Sequence, residues 1–313
     1  MLIVEAHATS HVGRVRTGNE DNYLLLNIES GETWTSAQES SGSTELVIES
    51  QRFEVGDQGV VLAVSDGMGG ALAGEVASKM AVDTVGEILL NNDPDKTISP
   101  DSFGDSLVGR LYDATVYSNH KIHQKGREAE FQGMGATFTG VAVTNDGVDL
   151  VQVGDSRTYL IRGEETFQIT KDQSLVQQLI DSEQISEEEA ETHPLKNVIL
   201  QALGAQNEIY PVAARLTPKR DDILLVCSDG LSNKIEGIDM QKIILDNADN
   251  LKMASVELIK EANERGGEDN ITVVIAKITG DSLAEPGSEE IELEMHNQES
   301  IHDTADQDTA EIL

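Results

Sequence analysis

The chain has 313 residues, 38% apolar and 25% charged, and its 22 basic against 57 acidic side chains leave a formal charge of −35. So acidic a surface repels polyanions, which argues against nucleic acid and anionic membrane as partners. No apolar run approaches the ~20 residues of a bilayer span, no basic-then-apolar leader opens the chain, and the single cysteine, Cys227, forms no internal disulfide, so a cytoplasmic protein is expected.

Runs rich in Val, Ile and Leu, bounded by Gly or Asp, predict the strands; the first covers 23–28. Residues 29–59, rich in Ser, Glu, Gly and Thr, read as a surface insertion in which 46–55 suits an edge hairpin. A strand at 60–65 follows. After Gly74 the residues Val76, Ala77, Met80, Ala81, Thr84, Ile88 and Leu89 recur at helical spacing. A second helix is announced by Ser99-Pro100-Asp101 and continues through Leu107, Leu111 and Ala114. Strands are expected at 137–143, 148–153 and 158–161. The acidic stretch 171–207 favours helix, with Leu175, Val176, Leu179 and Ile180 on one face, and suits a flap beside a site. A strand at 223–227, a helix capped by Asn250 that runs through Leu251, Ala254, Leu258 and Ala262 to Gly266, and a strand at 272–278 complete the pattern. Strands in antiparallel-style order with helices grouped between them indicate packed sheets with helices outside, in one domain over 1–280. Residues 281–313 carry 11 acidic side chains and no Lys or Arg, which predicts a disordered acidic tail. That tail reads either as solvating or as a segment that docks on a partner or imitates a phosphorylated substrate.

Two strand-like runs end in the same letters, Ser65-Asp66-Gly67 and Ser228-Asp229-Gly230. Each places a carboxylate where a strand leaves the core, and the glycine lets the backbone turn or approach a ligand. Asn19-Glu20-Asp21-Asn22 precedes the first strand, Gly154-Asp155-Ser156-Arg157 joins two others, and Gly267-Glu268-Asp269-Asn270 precedes the last. Acids from five strand ends that met at one sheet edge would repel unless a hard divalent cation lay among them. Spacing alone leaves open that each acid simply serves its own loop.

Read together with Arg16-Thr17-Gly18 and Gly133-Met134-Gly135-Ala136-Thr137, these motifs stand in the order found in the PPM (type 2C) serine/threonine protein phosphatases, which residues 13–277 resemble. The stretch from His193 to Gly204 also resembles the segment after the flap in bacterial members. The resemblance implies an α+β fold, an αββα sandwich of two antiparallel sheets flanked by helices, and hydrolysis of phosphoserine and phosphothreonine by a metal-activated water. It implies two Mn²⁺ or Mg²⁺ ions held by Asp66, the Gly67 carbonyl, Asp229 and Asp269, with Glu20 reaching the second ion and Asp21 in support. Asp155 matches the ligand of a third ion found in some members. Arg16 matches the phosphate-binding arginine, and Asn270 is expected to orient a water. Phosphorylated proteins would be the substrates and a cognate serine/threonine kinase the counterpart. The alternatives are a catalytically weak partner-binding module of the same fold and an acidic cation binder.

Other phosphate chemistries fail on the letters. Cys227 is followed six positions later by Asn233, not by the arginine of a cysteine phosphatase loop, and the run from Gly67 to Gly74 lacks the Gly-Lys-Ser/Thr of a P-loop. Cys227 reads as a small core residue. Met68 stands where eukaryotic relatives carry a histidine and Ala71 where some bacterial ones do, so the sequence supplies no general acid.

Overall fold

The computed structural model describes residues 1–36, 46–91, 106–287 and 291–296. The first half of the chain contributes β1 (Leu2–His11), β2 (Asp21–Asn27), β3 (Glu32–Thr35), β4 (Val47–Glu54), β5 (Val60–Met68), α1 (Ala71–Asn91) and α2 (Leu107–Lys125). Next come β6 (Gly135–Ala136), β7 (Phe138–Thr144), β8 (Gly147–Val153), β9 (Arg157–Arg162), β10 (Glu165–Gln168), α3 (Leu175–Asp181) and α4 (Glu187–Glu191). The last part holds β11 (Val212–Leu216), β12 (Ile223–Cys227), α5 (Asp229–Ser232), α6 (Gly237–Asp246), α7 (Leu251–Glu264), β13 (Ile271–Gly280) and β14 (Leu293–Met295).

These strands form two antiparallel sheets, ordered β10-β9-β12-β13-β1-β4 and β14-β11-β8-β7-β5-β2-β3, with β6 paired to β5. Their central strands are buried on both faces, which is why the sequence shows continuous apolar runs instead of alternation. Tyr23, Leu25, Leu62, Val64, Leu224, Val226, Val274 and Ala276 fill the layer between the sheets. The alternate residues Leu24, Leu26, Val61 and Ala63 lie under α1 and α2, and Leu225, Cys227, Val273 and Ile275 lie under the helices of the other side. The result is the expected αββα sandwich. Cys227 is a core residue whose thiol burial pushes up to about 12, which removes it from nucleophilic chemistry. No helix among the described residues is long and apolar enough to cross a membrane.

Two local expectations change, one falls outside the described residues, and one strand was not foreseen. The second helix is capped by Ser106, whose side chain accepts from the Gly109 amide, while Ser99-Pro100-Asp101 lies outside the described residues. Residues 46–55 do not form an edge hairpin: β4 is one strand that extends a sheet beside β1, and β3 extends the other sheet beside β2. Strand β1 was not legible because Thr9 and Ser10 are polar and buried, each satisfied by a distant hydroxyl, Ser255 at 2.6 Å and Thr272 at 2.7 Å. Part of the expected disordered tail is folded: Leu283, Ile291 and Leu293 pack on the inter-sheet core and β14 pairs with β11. There Asp149 accepts both arms of Arg215 at 2.8 Å, and His296 Nε2 stands 3.1 Å away. Residues 297–313 lie outside the described residues.

Asp113 on α2 is buried, and its Oδ1 has no hydrogen-bond partner. Burial pushes its carboxyl up to about 6. The folded state therefore holds this proton more tightly than the unfolded chain, so stability is lost as pH rises from ~4 through about 6. Asp113→Asn is expected to stabilise by about 1–3 kcal/mol at pH 8 and by nothing near pH 4. Thermal melts at the two pH values test this, and equal shifts would refute it.

Candidate metal centre

The acids of the site are continuations of core strands. In the β2–β5 ladder Asp21 stands directly opposite Asp66. Side chains alternate along a strand, so Asp21 follows Tyr23 and Leu25, and Asp66 follows Leu62 and Val64, on the face between the sheets. Both carboxyl groups thus emerge at the rim where the apolar layer stops. Like charges directly opposite in a ladder are destabilising, so the pairing itself calls for a counter-charge.

Asp229 opens α5 at the end of β12 and Asp269 precedes β13, both in the other sheet, while Asp155 sits in the turn where the chain crosses from β8 in the first sheet to β9 in the second. Ser228 Oγ crosses between the sheets and donates to Asp21 Oδ2 at 2.7 Å, while Asp21 Oδ1 is buried without a partner. Asp66 and Asp229 line the same cavity, and the charge of Asp229 is felt at Asp66. Burial pushes Asp21 and Asp155 up to about 7, and burial with the charges of Asp21, Asp229, Asp155 and Asp269 drives Asp66 well above the carboxylate range. Burial followed by the charge of Asp269 also raises Asp229.

Close backbone approach holds the geometry. A Cβ on Gly67 would lie 2.1 Å from the Gly74 carbonyl oxygen, and one on Gly230 would lie 1.9 Å from that of Asn270. Glu20 is buried beside α1, and Arg16 Nη1 stands 3.9 Å from its Oε1. Arg16 Nη2 donates to Asp269 Oδ2 at 2.8 Å, with the guanidinium half exposed. A cavity of about 210 Å³ is lined by Arg16, Glu20, Asp66, Gly67, Asp155, Asp229, Asp269 and Asn270 together with Met68, Asn197 and Ile199. A cleft of about 610 Å³ continues from it under α3 and α4, sharing Asp155, Asn197 and Asp229. The flap expected over 171–207 is therefore placed beside the site. Its two strands meet where Leu175 N donates to Val198 O at 2.9 Å and Leu200 N to Gln173 O at 2.7 Å.

Residues 50–257 match the family described as Protein phosphatase 2C. The Streptococcus pneumoniae protein phosphatase PhpP is 37% identical over 218 residues, which cover 70% of this chain and 85% of that one. The chain belongs to the protein phosphatase 2C family. Solved structures agree: the S. agalactiae serine/threonine phosphatase superimposes with a TM-score of 0.71 at 30% identity, over 87% of this chain and 98% of its own. The catalytic domain of the phosphatase PstP, solved in complex with two manganese ions, gives a TM-score of 0.68 at 29% identity, over 90% and 100%.

Within this phosphatase 2C frame, the donor set fits a hard divalent cation. It consists of carboxyl and carbonyl oxygens, one of them orphaned, and burial raises the proton affinity of the carboxyl groups, which a cation would oppose. Among the described residues no three His, Cys, Asp or Glu side chains are already closed around one position, and Asp269 turns to Arg16.

Asn270 also braces the loops around the site. Its Oδ1 accepts from the Glu20 amide at 2.8 Å, and its Nδ2 donates to Val12 O at 2.8 Å and Gly18 O at 2.9 Å. These bonds engage both ends of the amide, so Asn270 positions the loops that carry Arg16 and Glu20. Sequence reasoning gave no role to Thr137, whose Oγ1 accepts from the Asp66 amide at 2.9 Å, nor to Ser228, whose Oγ donates to Asp21 at 2.7 Å and accepts from the Thr272 amide at 3.0 Å. The only signal was their place inside or beside the quoted motifs.

Proposed function

We propose that this chain, by family a metal-dependent protein serine/threonine phosphatase, hydrolyses phosphoserine and phosphothreonine in proteins at the cavity beneath Arg16. The observation that carries the reading is the meeting of Asp21, Asp66, Asp155, Asp229 and Asp269 at one end of the sandwich, each electrostatically felt by another, with an arginine at the mouth. Asp66, the Gly67 carbonyl, Asp229 and Asp269 would hold two Mn²⁺ or Mg²⁺ ions, Glu20 and Asp21 would support them, and Asp155 with Asp229 would hold a third. Bound cations of this kind lower the pKa of water toward neutrality and neutralise phosphoryl oxygens.

The chain's own groups supply the rest. The half-exposed fork of Arg16 is suited to grip two phosphoryl oxygens. Thr137 and Asn270 fix the backbone of Asp66 and Glu20, so the carboxyl groups keep their aim. Met68 and Ile199 add apolar surface to the cavity lining. No histidine lines the cavity among the described residues, and solvent entering the cavity would supply the proton for the departing alkoxide. The folded unit takes in β14, a serine/threonine kinase is the counterpart that loads the substrates, and a cytoplasmic setting is the one in which both would meet.

The test is release of phosphate from a phosphothreonine peptide and from p-nitrophenyl phosphate. Turnover is expected with Mn²⁺ and its loss with chelator, and Asp229→Asn is expected to be folded but inactive. Equal phosphate release with and without metal would overturn the proposal.

A further inference from the structure

The segment that returns from the flap passes through a turn at 194–197 into a short stretch bridged to Ser174 at Ile199. Asn197 and Ile199 line the catalytic cavity, while Leu195, Val198 and Leu200 are exposed. The apolar surface continues onto the next segment, where Tyr210 N donates to Gln201 Oε1 at 2.8 Å and Gln201 Nε2 to Tyr210 O at 3.3 Å. There Tyr210 is 64% and Val212 37% exposed. Five large apolar side chains on neighbouring segments of a chain of net charge −35 form a patch of the kind that marks a binding surface.

We propose that this ledge docks the segment of a phosphoprotein substrate next to its phosphorylated residue and selects aliphatic or aromatic side chains two to four positions away. The inference rests on the phosphatase reading above and adds a substrate class to it. Continuity with the catalytic cavity carries it: Asn197 and Ile199 line the cavity while their chain neighbours Val198 and Leu200 form the ledge, so a phosphoresidue under Arg16 leaves its own chain beside the ledge. An extended chain advances about 3.3 Å per residue, which brings the second to fourth neighbours over Val198 and Leu200. Apolar contact also suits this molecule, because its overall charge repels the anionic substrate that it must capture.

Two phosphothreonine peptides that differ only in Leu or Ser at positions two to four residues from the phosphate test the ledge. The Val198→Ser/Leu200→Ser double variant and, separately, Tyr210→Ser are compared with the unaltered chain in Mn²⁺. The double variant is expected to lower kcat/KM for the Leu peptide about 10-fold, mostly through KM, and for the Ser peptide and p-nitrophenyl phosphate less than about 2-fold. Tyr210→Ser should act in the same direction without touching the flap. Equal losses on both peptides, or no loss on either, overturn the ledge while leaving the phosphatase reading in place. If the unaltered chain releases phosphate from none of the three compounds, the phosphatase reading fails. Fluorescence polarisation of the labelled peptides then decides the ledge, with tighter binding of the Leu peptide supporting it and equal binding overturning it. A chain ending at His296 that binds the Leu peptide at least tenfold tighter than the full chain would assign the ledge to the C-terminal residues and overturn the proposal.

Discussion

Asp66→Asn is expected to abolish turnover and, at the same time, to make the metal-free protein more stable at pH 8. Without a cation, Asp66 faces Asp21 across the β2–β5 ladder and is driven well above the carboxylate range by burial and four neighbouring acids. Asparagine keeps the shape and removes one charge from the cluster, which should relieve about 1–2 kcal/mol and raise the melting temperature by a few degrees. The metal response should move the other way. Ligand that binds only the folded state stabilises it by mass action, so Mn²⁺ should raise the melting temperature of the unaltered chain and hardly that of the variant. Loss of a ligand that orders transition-state charge should cost ~4 kcal/mol, about 10³-fold in kcat. Melts with and without Mn²⁺, read beside phosphate release, decide the matter. If Asp66 only terminated a strand, the substitution would leave both the Mn²⁺ shift and turnover intact.

That opposed pair of signs explains why the site was legible in the sequence while much around it was not. Asp66 and Asp229 show as words because each needs a strand end, a buried hydroxyl neighbour and a glycine whose Cβ would strike backbone, and all three requirements fall on adjacent residues. The bracing role of Asn270 depends on carbonyls of Val12 and Gly18, more than 250 positions away, so its letters could not show it. Strand β1 was hidden for a similar reason, since the hydroxyl of Thr9 is satisfied only by Ser255 on α7. In 29–59 the local sequence suited strands, but which sheet each would extend is set by pairing with β2 and β1. The acidic composition of 281–313 obscured Leu283, Ile291 and Leu293, too widely spaced to form a pattern yet sufficient to seat β14 at the edge of the core.

Cation affinity should fall steeply as the solution is acidified through neutrality, more steeply than surface carboxylates would allow. Asp21 and Asp155 titrate at about 7 because burial opposes their charge, whereas in the unfolded chain they would titrate near ~4. With folded values raised, the metal-free protein binds more protons than the unfolded chain between these limits, so its stability declines as pH rises from ~4 through about 7. A cation reverses that slope, since it binds the deprotonated groups and displaces the protons. Each displaced proton should change the dissociation constant about tenfold per pH unit below 7, so two should weaken it at least ~10²-fold between pH 7.5 and 5.5. The increment in melting temperature given by 1 mM Mg²⁺ or Mn²⁺ should accordingly be large at pH 7.5 and nearly gone at pH 5.5. Titration calorimetry in buffers of different ionisation enthalpy should register the released protons directly. An increment of the same size at both pH values, with no protons released, would mean that the cations meet carboxylates already ionised at the surface and not the buried acids at the rim of the two sheets.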